Sequence, residues 1–182
     1  MKTEDLIQVI AQILTTAGLL FVLYQYFKSV EIKKEDHYIQ FELSSLEIFR
    51  LTIEFPELLE LYNPEPKKKL KRKANDRLIE FASSLLNLFE IQFRLRKKES
   101  IEPIIFASWI PWIISLVKGK HFRTIWKNDL NIHYEPEFRK FINNIIEIVE
   151  KDPSEKNEEN LYAMISQEFK NCKIIKNWKE TI

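Results

Sequence analysis

Between Asp5 and Lys28 the chain carries 22 consecutive uncharged residues, LIQVIAQILTTAGLLFVLYQYF, from Leu6 to Phe27. At about 1.5 Å of rise per residue, a helix of that length covers about 33 Å, enough for a hydrocarbon core of about 30 Å. A helix also satisfies its own backbone polar groups, as lipid requires. Tyr24, Tyr26 and Phe27 stand at the C-terminal edge, where amphipathic rings favour the headgroup level. The run predicts a single transmembrane helix, residues 1–28 forming an anchor. Two other readings compete with it. A cleaved signal peptide is disfavoured because only Lys2 precedes the run as a basic residue and no small-residue cleavage pattern follows. A buried core helix stays open, because Gln8, Gln12, Thr15, Thr16 and Gln25 temper the apolarity.

Gln8, Gln12 and Thr15 share one helical face, and Thr16 stands beside Gln12. Polar side chains in a span face another helix or water in preference to lipid. With one span per chain the other helix belongs to another copy, so Gln8, Gln12, Thr15 and Thr16 are candidate span–span contacts and a homo-oligomer is expected. The alternative is that these residues are simply tolerated near the ends of the span. Lys28, Lys33 and Lys34 follow the run, whereas Lys2 precedes it with Glu4 and Asp5. The positive-inside rule then places the large C-terminal part in the cytoplasm and the protein in the inner membrane. The single Cys172 agrees with a reducing compartment and excludes a disulfide framework within one chain.

Charge is unevenly spread. The whole chain has a formal charge of +1, yet residues 67–127 hold 15 Lys/Arg against 5 Asp/Glu. Lys67, Lys68, Lys69, Lys71, Arg72 and Lys73 form the densest basic run. They suit anionic lipid headgroups, at about 1 kcal/mol per basic residue held near the surface. A nucleic acid, a nucleotide or another polyanion is an alternative ligand, although no aromatic residue is interleaved between 67 and 80 for base stacking. A solvated loop that only enforces topology is a third. Arg94, Arg96, Lys97 and Lys98 end a predicted helix, where cations complement the dipole and need no ligand.

Past the anchor, no Gly or Pro occurs between Gly18 and Pro56, so the first helix is expected to continue. Tyr38, Phe41, Leu46, Phe49 and Ile53 read as its apolar face. Residues 29–66 then form a helical stalk and first bundle helix, with PELLELY a short helix before the breaker Asn63-Pro64-Glu65-Pro66. Residues 67–182 supply the basic loop and the bundle. In the next helix Leu78, Ala82, Leu85, Phe89 and Phe93 share a face that Phe81, Leu88 and Leu95 widen. The uncharged run Ile104–Val117 is too short to cross a bilayer; with Trp109 and Trp112 it reads as a core helix, the alternative being an interfacial segment. Further helices are predicted from HFRTIWKNDL, from Pro136 through Val149, and after Ser154. No period-two alternation appears, and the expected fold is all-α.

Catalytic signatures are absent. With Gly only at 18 and 119 there is no phosphate loop or dinucleotide fingerprint, and no G-x-S-x-G elbow. His133 and Glu135 can meet a metal from a loop, but no helical metal motif supports them. No catalytic residue, metal site or cofactor is expected. The order of landmarks (span, FPELLELYNP, LLNLFE, the W-x-x-W of Trp109 and Trp112, FRTIW, Tyr134 and FRKFINNII) resembles a broad group of uncharacterised bacterial membrane-anchored helical proteins. That resemblance implies a short anchor and a small cytoplasmic domain, and brings no catalytic residues with it. The plan is also similar to small membrane effectors of bacterial antiviral defence. The expected function is a binding, scaffold or assembly module at the inner membrane, with membrane lipids and a protein as partners. The alternatives are a ligand-switched oligomeric effector sensing a nucleotide or protein through its basic domain, and a soluble helical enzyme.

Overall fold

The computed structural model describes residues 3–66, 72–152 and 157–178; the side chains of residues 3–11, 13 and 14 also lie outside the described set. Every regular element among the described residues is helical, so the fold is all-α as expected. The chain divides into two compact units, Met1–Gln40 and Phe41–Ile182. Helix α1 runs Thr3–Glu54. It is followed by a 3-10 turn at Pro56–Tyr62, α2 at Arg72–Lys97, α3 at Pro103–Lys118 and α4 at Lys120–Ile125. A π-helical turn at Trp126–Leu130 and a 3-10 turn at Asn131–His133 lead to α5 at Pro136–Lys151, α6 at Glu158–Glu168 and α7 at Lys173–Lys176.

The first unit is α1 alone. Thr15–Phe27 are exposed without exception. Among the described residues no helix is long and apolar enough to cross a membrane. The exposed uncharged stretch whose side chains are described, Thr15–Phe27, covers about 20 Å of axis at about 1.5 Å per residue. Much of the remainder of the expected span, Leu6–Ala11 with Ile13 and Leu14, lies outside the described side chains.

In the second unit the core is a single cluster. Helix α2 supplies Leu78, Phe81, Ala82, Leu85, Leu86, Leu88, Phe89 and Phe93, all buried; of the predicted stripe only Leu95 is half-buried, and Leu86 lies outside that stripe. Helix α5, within the helix predicted from Pro136 through Val149, supplies Phe138, Phe141, Ile142, Ile145, Ile146 and Val149, all buried. Trp109 is buried and Trp112 packs against the cluster, so the W-x-x-W of α3 is core, not interfacial surface. Pro111 sits inside α3 without ending it.

One apolar reading is corrected. Phe41 and Ile48 face the core with Ser45, whereas Leu46 and Ile53 are 62% and 80% exposed. Phe41 and Leu46 are five residues apart, which at 3.6 per turn puts them on different sides of the helix. Pro56 ends α1: Phe55 before it is non-helical (φ −126°, ψ 78°) because the proline ring excludes helical geometry there.

Gly119 is required by close approach. A methyl group added there would lie 1.8 Å from the Leu61 carbonyl oxygen, and the Lys120 N–H donates to Asn63 O at 3.0 Å in the same contact. Gly119→Ala is therefore expected to destabilise the bundle by about 3 kcal/mol, measurable by urea unfolding. In contrast, Gln92 is fully buried and its amide finds no partner among the described residues. Unsatisfied buried polar groups cost about 1–3 kcal/mol, so Gln92→Leu is expected to stabilise by about 1–2 kcal/mol, read as a raised melting temperature.

Candidate functional site

Three features of the chain bear on function: the apolar surface of α1 before Lys28, the basic entry to α2, and a groove between the end of α1 and α2. On the first, Leu19, Leu20, Phe21, Val22, Leu23, Tyr24, Tyr26 and Phe27 are each between 51% and 67% exposed. Consecutive residues of a helix point in all directions, so this surface is apolar around the circumference except at the exposed Gln25. Of the polar residues singled out for span–span contact, Gln12, Thr15 and Thr16 are exposed and Gln8 has its side chain outside the described set. The Thr16 hydroxyl donates to the Gln12 carbonyl at 2.8 Å. Such back-bonding satisfies the hydroxyl within its own helix and lowers its cost in an apolar medium.

Of the basic run, Lys67, Lys68, Lys69 and Lys71 lie outside the described residues. Arg72 and Lys73 open α2, exposed, and form no ion pair with another described residue. The first turn of α2 has no acidic residue. Two cations at a helix N-terminus oppose the positive end of the dipole, a local cost that an anion held nearby would offset. The basic residues at the far end of α2 are spent on structure. Arg96 Nη1 donates to Ile101 O at 2.8 Å, Arg94 Nε faces Glu135 Oε2 at 3.4 Å, and Lys97 pairs with Glu168. The same Glu135 was the candidate metal ligand beside His133; its carboxylate faces Arg94 instead. Among the described residues no group of three His, Cys, Asp or Glu side chains is placed to hold a metal ion.

The groove was not legible in the sequence, because it forms where residues about 25 apart converge. Its walls are Leu51, Phe55, Leu58 and Phe81, its polar rim is Arg77, Glu80 and Ser84, and its volume is about 270 Å³. That is just below the usual range of about 300–1,000 Å³ for small-molecule sites. Arg77 is fixed from two sides: Nη1 donates to Glu57 Oε1 at 2.9 Å, and the guanidinium lies 4.5 Å over the Phe55 ring. The helical break at Pro56 is what turns Phe55 and Glu57 toward α2. Hydrogen bonding to its own backbone N–H, and then to Arg77, holds the Glu57 carboxyl below its ordinary value.

Buried phenols mark the polar contacts of the core. Trp112 Nε1 donates to Tyr62 Oη at 2.8 Å. Burial pushes the Tyr62 phenol up to about 12. Tyr134 donates to Ser83 O at 3.3 Å and is pushed up to about 12, by burial first and Glu90 second. Cys172 is half-buried against the core. Comparison with protein-family models, curated proteins and solved structures finds no match.

Two titrations test this geometry. A depressed Glu57 pKa contributes stability above the ordinary value of 4.5 that is lost as pH falls through the folded-state value. The stability difference between wild type and Glu57→Gln is therefore expected at neutral pH and to vanish in thermal melts as pH falls through the folded-state value. Raised phenols act at the other end, with stability present below the ordinary value of 10.0 and lost as pH rises toward 12. Tyr62→Phe should remove one late-titrating phenolate from the ultraviolet absorbance curve.

Proposed function

We propose that this chain is a single-pass membrane-anchored helical protein whose bundle acts as a binding, scaffold or assembly module on the cytoplasmic side of the inner membrane. One observation carries the reading: over Leu19–Phe27 α1 presents an exposed surface that is apolar at every residue but Gln25, continuous in sequence with the uncharged residues from Leu6. A helix apolar all round is stable only inside a protein core or in lipid, and this stretch is exposed within its own chain. Lys28, Lys33 and Lys34 after the run support the cytoplasmic placement of the bundle. The basic residues 67–73 then orient the bundle at the anionic leaflet, and Gln8, Gln12, Thr15 and Thr16 make contacts between copies in the membrane. The reading assigns no catalysis; the sequence holds no phosphate-loop motif, and no metal-holding group stands among the described residues.

Full-length protein is expected in the membrane pellet after ultracentrifugation of a lysate and to remain there after an alkaline carbonate wash. Placing Lys at Ala17 and Leu20 should shift it to the supernatant, because each charge near the centre of a span costs about 3 kcal/mol. Wild-type protein that stays in the supernatant without detergent sinks the anchor and the sidedness together.

A further inference from the structure

The stretch of α1 within the second unit has two apolar faces, and its own bundle uses one. Phe41, Ser45 and Ile48 are buried, while Leu43, Leu46 and Ile53 are 61%, 62% and 80% exposed. These three, with Arg50, fall at alternating spacings of three and four residues: Leu43 and Arg50 repeat at seven, as do Leu46 and Ile53. That is the narrow seam by which one helix of a coiled coil meets another. The residues flanking the seam decide what can cover it. Glu42 precedes Leu43, Glu47 follows Leu46, and Glu54 follows Ile53; all three are exposed. Phe49 occupies the remaining flank, stacked on Trp112 with ring centroids 5.5 Å apart.

A second copy of the chain fits this seam poorly. In a parallel pair the residue before one seam position faces the residue after the next on the partner helix, which sets Glu42 against Glu47. In an antiparallel pair each flank faces its own kind, and glutamate again meets glutamate. An anionic membrane surface is repelled by the same three carboxylates. Arg50 within the seam bonds Glu47 of its own helix at 2.5 Å and also lies within electrostatic reach of Glu54, so one cation stands against three rim carboxylates and the rims remain net acidic.

We propose that the outer face of α1 over residues 41–54 is a docking seam for an amphipathic helix of a different protein, one with aliphatic seam residues flanked by Lys or Arg. The seam lies after the apolar run, so the proposal goes beyond membrane anchoring and its test does not depend on it.

The test uses the full chain in a neutral detergent and two synthetic three-heptad helical peptides with Leu in the seam, one flanked by Lys and the other by Glu. Fluorescence anisotropy is expected to show the Lys peptide binding about tenfold more tightly or better. Added salt should narrow the gap. The variant Glu42→Lys/Glu47→Lys/Glu54→Lys should invert the preference, an outcome that only folded protein can give, and Leu46→Gln/Ile53→Gln should abolish binding of both peptides. Equal binding of the two peptides, binding of neither, or a preference indifferent to the triple charge reversal would overturn the proposal. So would a detergent-solubilised oligomer that Leu46→Gln/Ile53→Gln reduces to monomer, since a second copy would then occupy the seam.

Discussion

The packing of the bundle turns on Trp109 and Trp112. They stand three residues apart and project from one side of α3, and Phe89 of α2 presents its edge to both at 6.1 and 5.5 Å. Phe41 meets Trp109 edge-on at 6.1 Å, and Phe49 stacks on Trp112. Aromatic pairs of this kind add about 0.5–1.5 kcal/mol each beyond the area they bury, and here they join the last turns of α1 to α2 and α3. An indole inside such a cluster still carries an N–H that must be satisfied. Trp112 gives its proton to Tyr62, which fixes the 3-10 turn against α3. Seven residues further along α3 the same turn meets the chain again, where the Leu61 carbonyl lies so close to Gly119 that no side chain fits. The helix must end there, and the Asn63 carbonyl receives the Lys120 N–H as α4 begins.

A second aromatic group closes the other end of the core. Phe93 lies 5.0 to 5.5 Å from Phe138, Phe141 and Phe169, and Phe106 lies 4.6 Å from Phe169. Lys97 sits over the Phe93 and Phe169 rings while pairing with Glu168. One side chain thus joins the C-terminal turn of α2 to the end of α6. Beside it Glu99, in the left-handed region at φ 57°, pairs with Lys170 at φ 58°. At the cationic end of α2, Arg94 and Lys97 pair with Glu135 and Glu168, remote in sequence, and Arg96 bonds the Ile101 carbonyl, so these three answer to packing. The cationic start of α2 has no such account among the described residues, and for that reason the anion-binding reading rests on Arg72 and Lys73 and not on Arg94–Lys98.

What was legible in the sequence was what repeats along one helix. The stripes of α2 and α5 could be read because each is wide, aligned at three and four residues, and wholly consumed by one core. The break at Pro56 and the close of α3 at Gly119 were legible from single residues with restrictive backbones. The α1 stripe was misread because a helix apolar on two faces gives spacings of three to five everywhere, and periodicity does not say which face is used. The groove beside Arg77, the Trp112–Tyr62 bond and the Arg94–Glu135 contact arise from chain segments that meet only after folding. Nothing local in WKNDL marks the π turn either; Trp126 is buried there with its N–H on Asn143 Oδ1 at 2.8 Å, a bond from a helix not yet formed when that segment is read alone.

Helix α1 therefore poses one physical problem twice: apolar surface with no partner in its own chain. The two stretches differ in what borders them, and the borders argue for different solvents. Over Leu19–Phe27 the surface is apolar at every residue but Gln25, with no charge before Lys28, which favours a medium without direction or sequence, as lipid is. Over 41–54 the exposed apolar residues form a narrow strip with carboxylates along its rims, and half the circumference is already taken by Phe41, Ser45 and Ile48. Lipid does not match a strip whose rims repel an anionic leaflet, whereas a second helix does, since it covers a narrow seam and can place opposite charges at fixed spacing. On the readings proposed here, the charge boundary at Lys28 is the point where apolarity on α1 changes meaning, from a preference for oil to a preference for a particular partner.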